Sequence, residues 1–209
     1  MIKKYSVLIG VLISTALLLV AIMIYPGGSL ADKNSIGFDW MRNFISNLFG
    51  EKAVNGAHNP SRIWADVGMI FLSVSFAIFF INFSKKIPSK GAANVIKYLG
   101  AGNMLFTFLI VTPLHDLMVN IAGTLSLLSF FYITVYLVKS KLVFFKVFSI
   151  LFLLAFYYTM FLYGSGNRNW LPLMQKIIFI GSILLILGLE YLTKAEDFES
   201  IKQRKGTNR

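Results

Sequence analysis

Six stretches of this chain are long and apolar enough to cross a bilayer, and nothing else in the sequence limits the fold as tightly. A hydrocarbon core about 30 Å thick takes ~20 mostly apolar residues per helix, because lipid offers no partner to an unpaired backbone group. The runs are Val7–Tyr25, Ile63–Phe83, Ile96–Thr112, Met118–Val138, Phe145–Tyr163 and Leu171–Leu192. The expected fold class is all-α, a polytopic membrane protein with one transmembrane domain over residues 1–209. Composition points the same way: 56% of the residues are hydrophobic and 14% charged, against roughly 45–50% and 25% in a soluble domain. The 20 Phe residues argue against disorder, and the absence of Cys excludes a disulfide-stapled secreted domain and thiolate zinc sites. The first run also reads as a secretory signal, with Lys3 and Lys4 ahead of it and Ser29-Leu30-Ala31 as a cleavage-like site. Its length exceeds the ~7–15 residues of a signal core and favours a retained span.

Charge sets the expected orientation. Most of the 20 basic residues fall in alternate connections: Lys3 and Lys4; Lys85, Lys86, Lys90 and Lys97; Lys139, Lys141 and Lys146; then Lys194, Lys202, Arg204, Lys205 and Arg209. Translocating positive charge is unfavourable, so these segments are expected in the cytoplasm, with both termini inside a cell membrane. The net charge of +11 is largely this bias. A nucleic-acid partner is excluded, because the charges flank lipid-length runs and do not form a basic face with stacking aromatics.

One connection is long. Residues 26–62 join the first two spans on the outer side, and Phe38–Phe49 within them reads as an amphipathic helix. Trp40, Met41, Phe44, Ile45 and Leu48 repeat at three- and four-residue spacing, with Asp39, Arg42, Asn43 and Ser46 on the other face and Gly50 as a stop. Such a helix would lie at the outer surface or cap the bundle, and its aromatic face is a candidate dock for a membrane-protein partner.

Ionisable residues near a membrane are costly, and here they gather at the outer ends of the spans. His58 and Asn59 precede the second span, and Arg62 and Asp66 lie four apart on its first turns. His115 and Asp116 close the turn Thr112–Asp116, while Arg168 and Lys176 flank the start of the sixth span. Four connections are thus placed to deliver polar groups to one outward pocket that accepts a membrane lipid or similar amphiphile. Within it His115, Asp116 and Asp66 are the catalytic candidates, since an imidazole oriented by a carboxylate serves as general base. A divalent metal on His58, His115 and Asp66 is the other option, and Arg62, Arg168, Lys176 and Ser46 are the candidate substrate-binding residues. Each also has a structural reading. Arg62 and Asp66 at helical spacing pair with each other, Lys176 snorkels to the surface, Asp116 caps a helix, and His58 is solvated.

The string YPGGS…GFDW..NFISNL…NG..NP over residues 25–60, followed by the Pro113–Asp116 turn, resembles bacterial six-span proteins of unknown function related to the Frag1-like group. That group includes a eukaryotic factor acting in remodelling of glycosylphosphatidylinositol lipids. The resemblance rests on Phe44-Ile45-Ser46-Asn47-Leu48, on Asn59-Pro60 and on the Pro113–Asp116 turn, and it implies the same span topology over nearly the whole chain. Three functions remain open on the sequence. The first is an outer-face site that binds or processes an amphiphile. The others are a non-catalytic subunit of a membrane complex and, ranked last for want of an ionisable relay at the midplane, a transporter.

Overall fold

The computed structural model describes residues 2–199, so Lys202, Arg204, Lys205 and Arg209 of the expected inner tail lie outside the described residues. The helices are α1 Ile2–Met23, α2 Ser61–Ser84, α3 Lys90–Val95, α4 Ala101–Leu109, α5 His115–Lys139, α6 Val143–Gly164 and α7 Leu171–Leu192. Among the described residues five helices, those of α1, α2, α5, α6 and α7, are long and apolar enough to cross a membrane, and the only β pairing is two isolated bridges. The chain is therefore all-α and compatible with a multi-pass membrane protein.

The expected run Ile96–Thr112 is where the helices depart from the sequence reading. It is replaced by three segments laid end to end: α3 of six residues, a π-helical turn Ile96–Gly100 of five, and α4 of nine. The helical run thus begins at Lys90 and ends at Leu109, shifted toward the Lys85–Lys90 side. The π turn coincides with a close approach, since a Cβ at Gly100 would overlap the ring of Phe80 on α2. Widening the helix by one residue per turn is a local adjustment of this kind.

Packing follows small residues and phenyl rings. α1 lies along α2 where a Cβ at Gly10 would overlap Ser75 Oγ and one at Gly68 would stand 3.3 Å from Leu18. Around α2, the elements α4, α5, α6 and α7 pack in succession, and α7 returns to α2 and α1. Phe79, Phe80 and Phe83 are fully buried, and Phe80, Phe130 and Phe152 meet edge to face at 5.9 and 4.9 Å between centroids. Phe145 is buried against Gly188, whereas its neighbour Phe144 is exposed. Offset and edge-on geometries suit rings that must interlock without a polar partner.

The expected amphipathic helix Phe38–Phe49 does not form. A turn covers Asp39–Asn43, and only Ile45–Phe49 is helical, as a short 3-10 turn. Side chains compete with the helix for its backbone donors. Asp39 Oδ1 accepts from the N–H of Met41 and Arg42 at 2.8 and 3.1 Å, and Asn47 Oδ1 accepts from that of Phe44 at 2.7 Å. The expected faces dissolve with it. Asn43, assigned to the polar face, is fully buried, and so is Leu48 from the apolar face; Trp40 and Met41 stay exposed.

What residues 26–60 build is a cap held by buried amides. Asn43 Nδ2 donates to Gly28 O at 2.7 Å, and Asn59 Nδ2 donates to the carbonyls of Leu48 and Gly50 at 3.1 and 2.8 Å. Tyr25 is 2% exposed; its hydroxyl accepts from Val54 N at 3.0 Å and its ring meets Phe38. Gly28 has φ +81°, and a Cβ there would overlap the backbone of Val54 and Asn55, so the Pro26–Ser29 turn admits no side chain at that position.

Candidate ligand-binding site

The cap covers one end of the bundle, and beneath its edge lies a cavity of about 930 Å³. The 3-10 turn forms one wall, the α4–α5 turn and the first turns of α5 another, and the last turn of α6 with the start of α7 the third. Val119 and Met160 belong to the apolar part of the lining. Met160 fits because α5 is thin beside it: a Cβ at Gly123 would come within 2.7 Å of the Met160 thioether.

Five of the residues singled out in the sequence line this cavity: Ser46, Arg62, His115, Asp116 and Arg168. They arrive from the 3-10 turn, α2, the start of α5 and the α6–α7 loop. Asp116 is not a helix cap. α5 begins at His115, and the Asp116 carboxylate bonds sideways, Oδ1 meeting His115 Nδ1 at 2.9 Å and accepting from the Tyr163 hydroxyl at 3.0 Å. An ionised carboxylate can only accept, so in neutral His115 the proton sits on Nδ1 and the lone pair on Nε2. Nε2 is sealed from solvent and has no hydrogen-bond partner among the described residues.

The other three lie elsewhere. His58 is exposed in a shallow depression with Glu51, Lys52, Asn59 and Arg62. Asp66 is held by Arg62, its Oδ2 standing 3.7 Å from Nε, while Arg62 Nη1 reaches Glu51 Oε1 at 3.4 Å. Lys176 is 5% exposed and does not line the cavity. Its ammonium donates to Asn43 O at 2.5 Å and Pro172 O at 3.0 Å, with the Phe38 ring 5.5 Å away. Four methylenes carry that charge to the cap carbonyl of Asn43, so Lys176 fastens the loop to α7 instead of reaching water.

A metal does not fit the expected donor set. Among the described residues, no three of His, Cys, Asp and Glu stand close enough to share an ion, and His58, His115 and Asp66 are in three different surroundings. Conversely, Asn47, Gln175 and Tyr163 line the cavity although the sequence drew attention to none of them as site residues. Gln175 ties α7 to the cap, its Oε1 accepting from Ile45 N at 2.8 Å. The legible signal was an amide inside an otherwise apolar run, the same signal that marks Asn103, which does bond between helices, to Ser126 at 2.7 Å.

No protein-family model, curated protein or solved structure matches the chain.

Proposed function

We propose that the chain is a six-span protein of the cell membrane with both termini cytoplasmic, and that its outer-end cavity binds a lipid-like amphiphile. The third span in this reading is the composite run Lys90–Leu109, whose π turn seats Phe80. The observation that carries the reading is one cavity at the covered end of a helix bundle, lined by Arg62, Arg168, His115 and Asp116 from separate elements together with Val119 and Met160. A volume of about 930 Å³ is at the upper end of the ~300–1,000 Å³ usual for small-molecule sites. Polar groups beside apolar walls match a molecule with a head and a chain.

Binding is favoured over catalysis because the basic nitrogen of His115 is shut away from the space a substrate would occupy. His115, Asp116 and Tyr163 serve here as a rigid rim. Native mass spectrometry of the full chain, released from membranes in mild detergent, tests the reading. A retained amphiphile is expected on the wild type and lost from Val119→Trp, which fills the cavity. Equal lipid retention by both proteins would overturn it.

A partner-binding subunit is the second reading, and Trp40 and Met41, 52% and 54% exposed at the tip of the cap, favour it. Stoichiometric co-purification of one membrane protein, abolished by Trp40→Asp, would support it.

A further inference from the structure

The polar lining of the cavity has a direction. Gln175 Oε1 accepts from the N–H of Ile45 at 2.8 Å, and Asn47 Oδ1 accepts from that of Phe44 at 2.7 Å. A backbone N–H can only donate, so each amide must turn its oxygen to the 3-10 turn, which fixes both side-chain flips. The NH2 groups are left over. Neither has a hydrogen-bond partner among the described residues, neither nitrogen is sealed from solvent, and both residues line the cavity.

The charges share this bias. Arg168 is exposed on the same lining and makes no ion pair or hydrogen bond among the described residues. Arg62 divides itself between Glu51 and Asp66 at 3.4 and 3.7 Å, both long for a charge-assisted bond, so its fork retains donors. Each carboxylate in the lining is engaged through one oxygen, Glu51 Oε1 by Arg62 and Asp116 Oδ1 by His115 and Tyr163. Uncommitted donors thus face the cavity from three residues, the amides of Asn47 and Gln175 and the Arg168 guanidinium, while the free acceptors of the lining belong to Asp116, Glu51 and Asn120, all exposed. The three donors together match a group that only accepts.

We infer that the polar group recognised in this cavity is an anion with several acceptor oxygens, a phosphate or a carboxylate, bound by Arg168 and read by Asn47 Nδ2 and Gln175 Nε2. The inference rests on the cavity being an amphiphile site, and it names that amphiphile's head. A planar guanidinium and amide donors on one oxyanion give orientation as well as attraction.

The test uses the full chain in mild detergent and native mass spectrometry, with chain-matched phosphatidylglycerol and diacylglycerol as probes. The double variant Asn47→Asp/Gln175→Glu keeps both oxygens for Phe44 N and Ile45 N, and so keeps the cap, while deleting the inward donors. It is expected to weaken phosphatidylglycerol binding by about tenfold or more, the worth of one charge-assisted bond, and to leave diacylglycerol binding unchanged. Arg168→Gln, which disturbs no internal bond, is expected to act in the same direction and stands in should the double variant fold poorly. Displacement of phosphatidylglycerol by millimolar inorganic phosphate would show that the free anion suffices, and its failure would place recognition in the headgroup on its lipid; either agrees with an anion site. Wild-type binding of diacylglycerol as tight as phosphatidylglycerol, or phosphatidylglycerol binding indifferent to these variants, would overturn the inference while leaving the cavity as an amphiphile site. Binding of neither lipid to the wild type would remove both readings.

Discussion

The two ends of the bundle handle polar groups differently. At the end away from the cap, Lys86 places its ammonium on the last carbonyls of α7, 2.8 Å from Leu189 O, 2.9 Å from Glu190 O and 3.0 Å from Thr193 O. Asn82 donates to Glu190 Oε1 at 2.8 Å, and Phe198 is fully buried against Phe83. Burial pushes the Lys86 pKa down, and Glu190 and Asp197 push it back only in part. Helix-end carbonyls without partners are the standing weakness of any helix, and a cation is the natural remedy. At the capped end Lys176 instead bridges a loop carbonyl, Asn43 O, to Pro172 O in the first turn of α7, and Arg168, Asn47 and Gln175 retain donors that nothing among the described residues consumes. The lesson is that a charge near a helix end says little about function. Hydrogen-bonding capacity left unspent next to a cavity says much more.

Variants at the two ends should therefore separate stability from binding. The largest loss of stability is expected from Asn59→Ala, which strands the carbonyl of Gly50, leaves Leu48 O only the Ser61 hydroxyl and removes the Ser61 partner, at roughly 3 kcal/mol. Thermal unfolding in detergent would read it as a lowered midpoint. Lys86→Met comes next, costing about 2 kcal/mol by leaving the α7 carbonyls bare, with amphiphile retention unchanged because the cavity is at the other end. Arg168→Gln reverses that pattern, with an unfolding midpoint equal to wild type and about tenfold weaker binding of an anionic lipid. A midpoint drop in Arg168→Gln, or a binding loss in Lys86→Met, would break the comparison.

Smaller effects sharpen it. Gly123→Ala should push the flexible end of Met160 into the cavity, reducing lipid retention a little with no loss of helix stability. The cap should also loosen in alkali. Burial raises the Tyr25 phenol above its usual pKa of 10.0, outweighing the Val54 bond that lowers it. Above that pH the unfolded chain releases the proton before the folded one, so the folded state binds more protons and stability falls as pH rises. Tyr25→Phe should lose this dependence, as a pH series of unfolding midpoints would show.

Much of the helical frame was readable from hydropathy alone. Leu171–Leu192 was expected with its observed bounds, and the runs that became α2, α5 and α6 differ by a few residues at their ends. The run at Ile96 was harder, because the π turn depends on Phe80 meeting Gly100, a contact between distant segments that no local pattern records. Phe38–Phe49 failed for a different reason. Its apolar spacing satisfies a helix, but Asp39, Asn43 and Asn47 are short polar side chains that take backbone N–H groups for themselves, and periodicity does not weigh that competition. For the site, clustering of charge near the loops located Arg62, Arg168, His115 and Asp116 in one place. It did not reveal that the Lys176 ammonium was occupied, nor which way the Gln175 and Asn47 amides face. Lys176 and Gln175 are settled by cap residues far away in sequence, whereas Asn47 is turned by its near neighbour Phe44 in a 3-10 turn that periodicity reads as an α-helix.

Direct imaging tests most plainly the proposal that the cavity under the cap holds the head of an anionic amphiphile. In a high-resolution density map of the full chain purified with membrane lipid, the account predicts a headgroup within hydrogen-bond distance of Arg168, Asn47 Nδ2 and Gln175 Nε2. Its chain should run past Val119 and Met160. A lipid-saturated preparation whose cavity contains only water, with both amides hydrated and Arg168 turned away, would contradict it.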